Sequence, residues 1–196
     1  MGSLPRLTGV DIEPAGIEEA KRRALALGLP DRVHFVVADC SSPLPLEGEA
    51  YDVVVCIDAV LHLRDRQAAF KDWFRILRPG GRLFLTDAAV LTGDVSKHEI
   101  DVRASQGEFV LVPLGLNERA LQQAGFRLLA CKDQTSPTAE IARKLLAARQ
   151  VRSVELQAEE GAQWFASRQA FLSMIEALAR TSRLSRFLYI AEKPEF

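Results

Sequence analysis

The chain has 196 residues, 48% hydrophobic and 26% charged, with a formal net charge of −1. That size supports one domain with a sizeable core. The near-neutral balance gives no basic field for nucleic acid, and no apolar run approaches the roughly 20 residues that a membrane-spanning helix needs. Cys40, Cys56 and Cys131 are an odd number without CxxC or Cys/His spacing, so neither a metal site nor a disulfide framework is expected, and a reducing cytoplasm is the expected compartment. The opening MGSLPRLTGVDIEP lacks a basic region followed by a long apolar stretch and is not expected to be a signal peptide.

In chain order, residues 7–12 (LTGVDI) read as a strand. Over residues 16–28, Ile17, Ala20, Ala24 and Leu27 share one helical stripe, and Gly28 closes it. Residues 33–38 are a second strand, followed by a Pro- and Ser-containing loop over 41–49. The continuous apolar run at 52–57 suits a strand buried on both faces of a parallel sheet. Phe70, Trp73, Phe74 and Leu77 mark the inner face of a helix over 65–77, which Pro79-Gly80-Gly81 breaks before a strand at 82–88. Asn117 is expected to cap a short helix that Gly125 ends, and 126–131 form another strand.

From Pro137 to about Arg183 the pattern is helical, with a break at Glu159-Glu160-Gly161. Ile141, Leu145 and Ala148 share a face before that break, and Trp164, Phe171, Ile175 and Leu178 share one after it. Residues 185–193 close the chain as a strand. Alternating strands and helices predict an α/β domain spanning 1–196, with a two-helix insertion at 137–183 that serves either as an acceptor lid or as further core.

Several strand ends carry polar groups. Asp11 ends the first strand, where a carboxylate could accept hydrogen bonds from ribose hydroxyls or simply open a turn. Asp39 ends the second, where it could meet an adenine amino group beside the Cys40 backbone N–H, or initiate the turn before Ser41 and Ser42. In YDVVVCIDAVLHLRDR (51–66) a buried strand runs into Asp58, Leu61 and His62. Asp58 could face a cofactor or an acceptor, or cap the turn. His62 is the candidate general base, with an orienting role as its alternative. His34 and His98 show no partner in the sequence and read as structural or solvent-facing.

GVDIEP, VADC, YDVVVCIDAVLHL and LRPGGRLFLTD occur in an order and spacing that resemble class I methyltransferases using S-adenosylmethionine. The resemblance covers about 7–134 and is closest to small-molecule enzymes typified by the sarcosine/dimethylglycine and phosphoethanolamine methyltransferases. It implies a Rossmann-like, mostly parallel sheet flanked by helices, with an antiparallel late strand. It implies S-adenosylmethionine as cofactor, with Asp11 and the adjoining Ile12 at the ribose, Asp39 and Cys40 at the adenine, and Cys56 near the methionine moiety. Asp58 and His62 would border a small-molecule acceptor. The residues at 137–183, together with 93–112, would cover that acceptor, with Trp164, Phe109 and Phe171 as candidate walls.

The family's first strand and its glycine-rich loop have no counterpart in this sequence: six residues precede Leu7, and GxGxG appears nowhere. That strand would lie between those at 7–12 and 52–57, so its absence predicts two facing edges. A gene start placed too late is the first explanation; a reduced domain, with the two strands paired directly or the gap filled by a second chain, and a fragment are the others. Two rival functions stay open: a non-catalytic methyltransferase-like module, and a nicotinamide-dependent oxidoreductase, which would need a parallel final strand. Homo-oligomer formation is left open as well.

Overall fold

The computed structural model describes residues 6–105, 107 and 109–195. The first five residues of the opening segment, and positions 106 and 108 of the expected cover at 93–112, lie outside them. The chain begins with a βαβ unit: β1 (Leu7–Asp11), α1 (Pro14–Ala26) and β2 (Val33–Val37), with β1 and β2 parallel. Gly9 faces Phe35 in the register, and a Cβ on Gly9 would meet the Phe35 ring at 2.9 Å, so glycine is what lets that ring lie against the neighbouring strand. Ile17 and Ala24 of α1 are buried as the stripe predicts, but Leu27 lies beyond the helix end and is exposed.

The second sheet holds β3 (Tyr51–Ile57), β4 (Leu77–Leu91), β5 (Val112–Pro113), β6 (Arg127–Asp133) and β7 (Leu184–Glu192). Its order is β3-β4-β7-β6, with β5 paired to the end of β4. β3 is parallel to β4, whereas β7 runs antiparallel to both β4 and β6. The antiparallel final strand agrees with the methyltransferase-like expectation and goes against the oxidoreductase rival. β3 meets β4 across an irregular register, Tyr51 opposite Leu77 and Val53 opposite Arg82, and the extra residues are the Pro79-Gly80-Gly81 segment. Gly80 has φ +74°, and a Cβ on Gly81 would meet the Arg78 carbonyl oxygen at 2.8 Å.

Helix α2 (Arg66–Ile76) covers this sheet with Phe70, Trp73 and Ile76, which join Leu83, Leu85, Tyr189 and Ala191 in the main core. The Asp65 side chain caps α2 by accepting from the Ala68 N–H at 2.9 Å. One polar cluster is buried beside this core: Arg66 pairs with Asp87 and donates to Asn117 Oδ1 (2.8 Å) and the Val110 carbonyl (2.8 Å), and Asn117 Nδ2 donates to Asp87 (2.8 Å). It ties α2 and β4 to α4 (Leu116–Gln123) and to the segment before β5.

Four expectations need correction. The run at 52–57 is not buried on both faces: Val53, Val55 and Ile57 share one face of β3, which stands exposed, while Val54 and Cys56 on the other are half-buried against the core. Asn117 is not a cap, because α4 starts after Gly115 and the Asn117 side chain is drawn into the Arg66–Asp87 pair. The late helical region forms three helices, α5 (Thr135–Val151), α6 (Ser153–Glu160) and α7 (Ala162–Arg180); Arg152 marks a break that no glycine or proline announces. In it, Ile141, Leu145 and Trp164 are each about half exposed, whereas Ala142, Phe165, Phe171 and Leu178 are buried.

β1 and β3 do not pair. Between them lies a cavity of about 230 Å³ lined by Thr8 and Val10 on one side and by Tyr51 and residues 53–57 on the other. The Tyr51 hydroxyl reaches across it to Thr8 Oγ1 at 3.3 Å. The two facing edges expected from the sequence are therefore present, and direct pairing of the two strands is not.

Candidate functional site

Because β1 runs parallel to β2 and β3 parallel to β4, the carboxyl ends of β1, β2 and β3 come together at one cavity of about 630 Å³. It is lined by Asp11 and Ile12 after β1, Asp39 and Cys40 after β2, Cys56 at the end of β3, and His62, with Leu63 and Trp73 as apolar wall. Polar groups after parallel strands face the crevice outside the sheet, which is why segments far apart in sequence converge here.

Each strand-end Asp opens a turn as well as lining the cavity. Asp11 Oδ1 accepts from the Glu13 N–H (2.9 Å), and Asp39 Oδ1 from the Ser41 N–H (2.7 Å). These bonds fix the carboxylates and leave each Oδ2 without a hydrogen bond among the described residues. The turn role and the cavity role are thus compatible. Burial pushes the Cys56 thiol up to about 11, and burial with nearby Asp39 raises that of Cys40. Both thiols are neutral near pH 7.

Asp58 and His62 stand on opposite sides of the turn that follows β3. Asp58 has φ +50°, a left-handed conformation that Asp tolerates better than most residues. Its N–H donates to Thr86 Oγ1 (3.0 Å), and its Oδ1 accepts from the Thr86 hydroxyl (2.9 Å) and from Arg186 Nε (3.0 Å). The single-turn helix Val60–His62 then places Leu61 and His62 on different cavities. The His62 ring lies 5.1 Å from the Phe109 ring.

Asp58 lines a second cavity, of about 380 Å³, with Leu61, Phe109, Phe171, Leu178, Arg103 and Arg186 among its other walls. Arg103, the last residue of α3 (Lys97–Arg103), is buried; its guanidinium carbon lies 4.2 Å from the Phe109 ring centre and 5.0 Å from that of Phe171. Arg103 and Arg186 escaped the sequence reading because a lone arginine in a helix or a strand reads as a solvated charge. The expected walls Phe109 and Phe171 are in place; Trp164 is not. Among the described residues there is no group of three or more His, Cys, Asp or Glu able to hold a metal ion, and no helix long and apolar enough to cross a membrane.

Residues 2–85 match the family model described as a methyltransferase domain. Over those residues the chain is similar to methyltransferase domains. An O-methyltransferase of Pyrenophora dematioidea is 31% identical over 131 residues, which are 65% of this chain and 48% of that protein. The 27-O-demethylrifamycin SV methyltransferase of Amycolatopsis mediterranei is 30% identical over 135 residues, 67% of this chain and 49% of that protein. This chain spans about half the length, or less, of the curated relatives it matches. In three dimensions it resembles the phosphoethanolamine N-methyltransferase 2 of Haemonchus contortus, with a TM-score of 0.81 and 18% identity over 100% of this chain and 50% of that one. Around the strand ends the fold supplies one larger cavity and, past the turn at 58–62, a smaller one.

Proposed function

We propose that this chain transfers a methyl group from S-adenosylmethionine to nitrogen, oxygen or carbon of a small molecule, the cofactor occupying the larger cavity and the acceptor the smaller. The observation that carries this reading is the gathering of Asp11, Ile12, Asp39, Cys40, Cys56 and His62 on one cavity from three strand ends and the following turn. A nucleoside needs hydrogen-bond acceptors for its hydroxyls and ring amino group beside an apolar surface for its base. The Oδ2 atoms of Asp11 and Asp39 supply the first, and Ile12, Leu63 and Trp73 the second. The residues present fit the group.

The bound cofactor would supply a methyl group made electrophilic by a positively charged sulfur. The protein's own work is then to hold acceptor and donor in near-attack geometry and to exclude water. Asp11 and Asp39 fix the nucleoside end. Cys56, kept protonated by burial, offers no thiolate that would compete for the methyl group. His62 lines the larger cavity rather than the acceptor's, but its ring lies 5.1 Å from that of Phe109, a wall of the smaller one, so it stands at the boundary and is the candidate for taking a proton where the acceptor must lose one. Asp58, bonded to Arg186 and Thr86, shapes the acceptor side rather than moving a proton. Helices α3, α5 and α7 form the acceptor cover. The reaction belongs in a reducing cytoplasm, where the free Cys40, Cys56 and Cys131 persist, and needs neither nucleic acid nor membrane.

A second reading, a methyltransferase-like module that binds without catalysis, is favoured by the unpaired edges of β1 and β3 beside the larger cavity. Calorimetric titration of the purified chain with S-adenosylhomocysteine separates the two. Saturable binding in the micromolar range, one ligand per chain, is the expected result; absent or millimolar binding overturns the first reading.

A further inference from the structure

Among the described residues that line the smaller cavity, Arg103 alone has a buried nitrogen without a hydrogen-bond partner. The lining contains two guanidinium groups, Arg103 and Arg186, and one carboxylate, Asp58. Asp58 is already engaged by Arg186 Nε at 3.0 Å, and Arg186 also donates to Thr86 Oγ1 at 3.3 Å. Thr138 donates to the Gln134 carbonyl (2.8 Å), and Ser185 shares a hydrogen bond with Thr92 (2.7 Å). Arg103 is different. It is only 6% exposed, and its buried terminal nitrogen NH1 has no hydrogen-bond partner among the described residues.

A buried guanidinium without an ion-pair partner is an expensive arrangement. The faces of Phe109 and Phe171 offset part of that cost through cation–π attraction, yet neither ring can accept an in-plane N–H. Burial draws the Arg103 pKa down to about 10, so the group is still cationic at neutral pH. Among the described lining residues, two positive charges against one negative leave a surplus of one positive charge, and the remaining walls, Leu61, Phe171, Ile175 and Leu178, are apolar.

From this arrangement we propose that the cavity selects a methyl acceptor carrying a carboxylate on an apolar body, the carboxylate seated on Arg103 and the body against the aromatic and aliphatic walls. This deepens the reading given above, since it takes the smaller cavity to be the acceptor's. A monoanion matches the single surplus charge; a phosphate monoester, carrying about −1.5 to −2 at pH 7, exceeds it. A carboxylate also presents two in-plane acceptors to a planar donor group.

The test compares benzoate, its neutral isostere benzamide and phenyl phosphate by calorimetry on the full chain. S-adenosylhomocysteine is titrated in parallel, and the same set is run on Arg103→Met and Arg103→Lys. Benzoate should bind about ten- to a hundredfold more tightly than benzamide, as a charge-assisted hydrogen bond implies. Arg103→Met should erase that difference, with folding checked by its melting curve, and Arg103→Lys should keep part of it. If Arg103→Met fails to fold, the benzoate-to-benzamide ratio on the unmodified chain and on Arg103→Lys decides. Equal binding of benzoate and benzamide, no benzoate binding at concentrations up to about 10 mM, well above the millimolar range of weak ligands, or a preference that survives in Arg103→Met overturns the proposal. Phenyl phosphate binding more tightly than benzoate overturns the choice of a carboxylate. Benzoate selectivity without S-adenosylhomocysteine binding would uphold this site and sink the cofactor reading, whereas the converse would sink this site alone.

Discussion

The two sheets of this molecule are built to different standards. The β3-β4-β7-β6 sheet carries the main core, with Phe70, Leu77, Leu83, Leu85, Leu121 and Ala191 at or near zero exposure. The β1–β2 pair has α1 as its cover, from which Ile17 and Ala24 are buried, and it reaches the main core through the partly buried Val10, Ala38 and Cys40. Between the halves, β1 and β3 face each other unpaired, with the Tyr51–Thr8 hydrogen bond across the gap. The contrast has a functional consequence. The smaller cavity is lined wholly from the better-packed side, whereas the larger one draws Asp11 and Asp39 from the thin half and Cys56, His62 and Trp73 from the thick one. Ligand affinity at the larger cavity therefore depends on how firmly the β1–β2 pair is held.

Substitutions can break or sharpen that contrast. Asp87→Ala, in the thick half, should have the largest effect, about 3–5 kcal/mol of lost stability in denaturant unfolding, because it strands Arg66 as a buried unpaired cation. Cys56 should resist alkylation: with its pKa raised from 9.0 to about 11, its thiolate population at pH 8 falls about a hundredfold below that of an ordinary thiol, and its rate with iodoacetamide should climb only as pH approaches 11. Ile17→Ala should cost about 2 kcal/mol in the thin half. Its amide hydrogen exchange should quicken in β1, α1 and β2 while β4 and β7 keep their protection; uniform quickening would mean that the halves unfold as one unit. Smallest is Val55→Thr, about 0.5 kcal/mol or less, since Val55 sits 59% exposed on the edge strand. A cost of 2 kcal/mol there would show that the β3 edge is covered in solution.

Much of this architecture was legible in the chain because apolar runs ending in Asp mark parallel strands whose tips meet at one crevice. Asp11, Asp39 and the 56–62 segment followed from that pattern, whereas the facing edges of β1 and β3 were implied only by the family resemblance. What stayed hidden depends on contacts distant in sequence. Asn117 carries every local mark of a helix cap, yet the Arg66–Asp87 pair, 51 and 30 residues away, recruits its side chain. The run at 52–57 has the composition of a strand buried on both faces, yet only the face of Val54 and Cys56 packs on the core, and Val53, Val55 and Ile57 on the other stand exposed. Trp164 fits an inward stripe by periodicity, but Gly161 sets the start of α7 so that Phe165 turns inward instead. Arg103 gave no signal at all, since its burial is decided by Phe109 and Phe171 closing over it.

The claim on which the rest stands is that the tips of β1 and β2 serve one nucleoside-shaped ligand together with the end of β3. The most direct measurement is S-adenosylhomocysteine affinity across the unmodified chain, Asp11→Ala, Asp39→Ala and the double variant. Each single change should weaken binding by about tenfold or more, with the two losses close to additive because the carboxylates hold different parts of the ligand. Affinity untouched by Asp11→Ala, or by Asp39→Ala, would contradict the account.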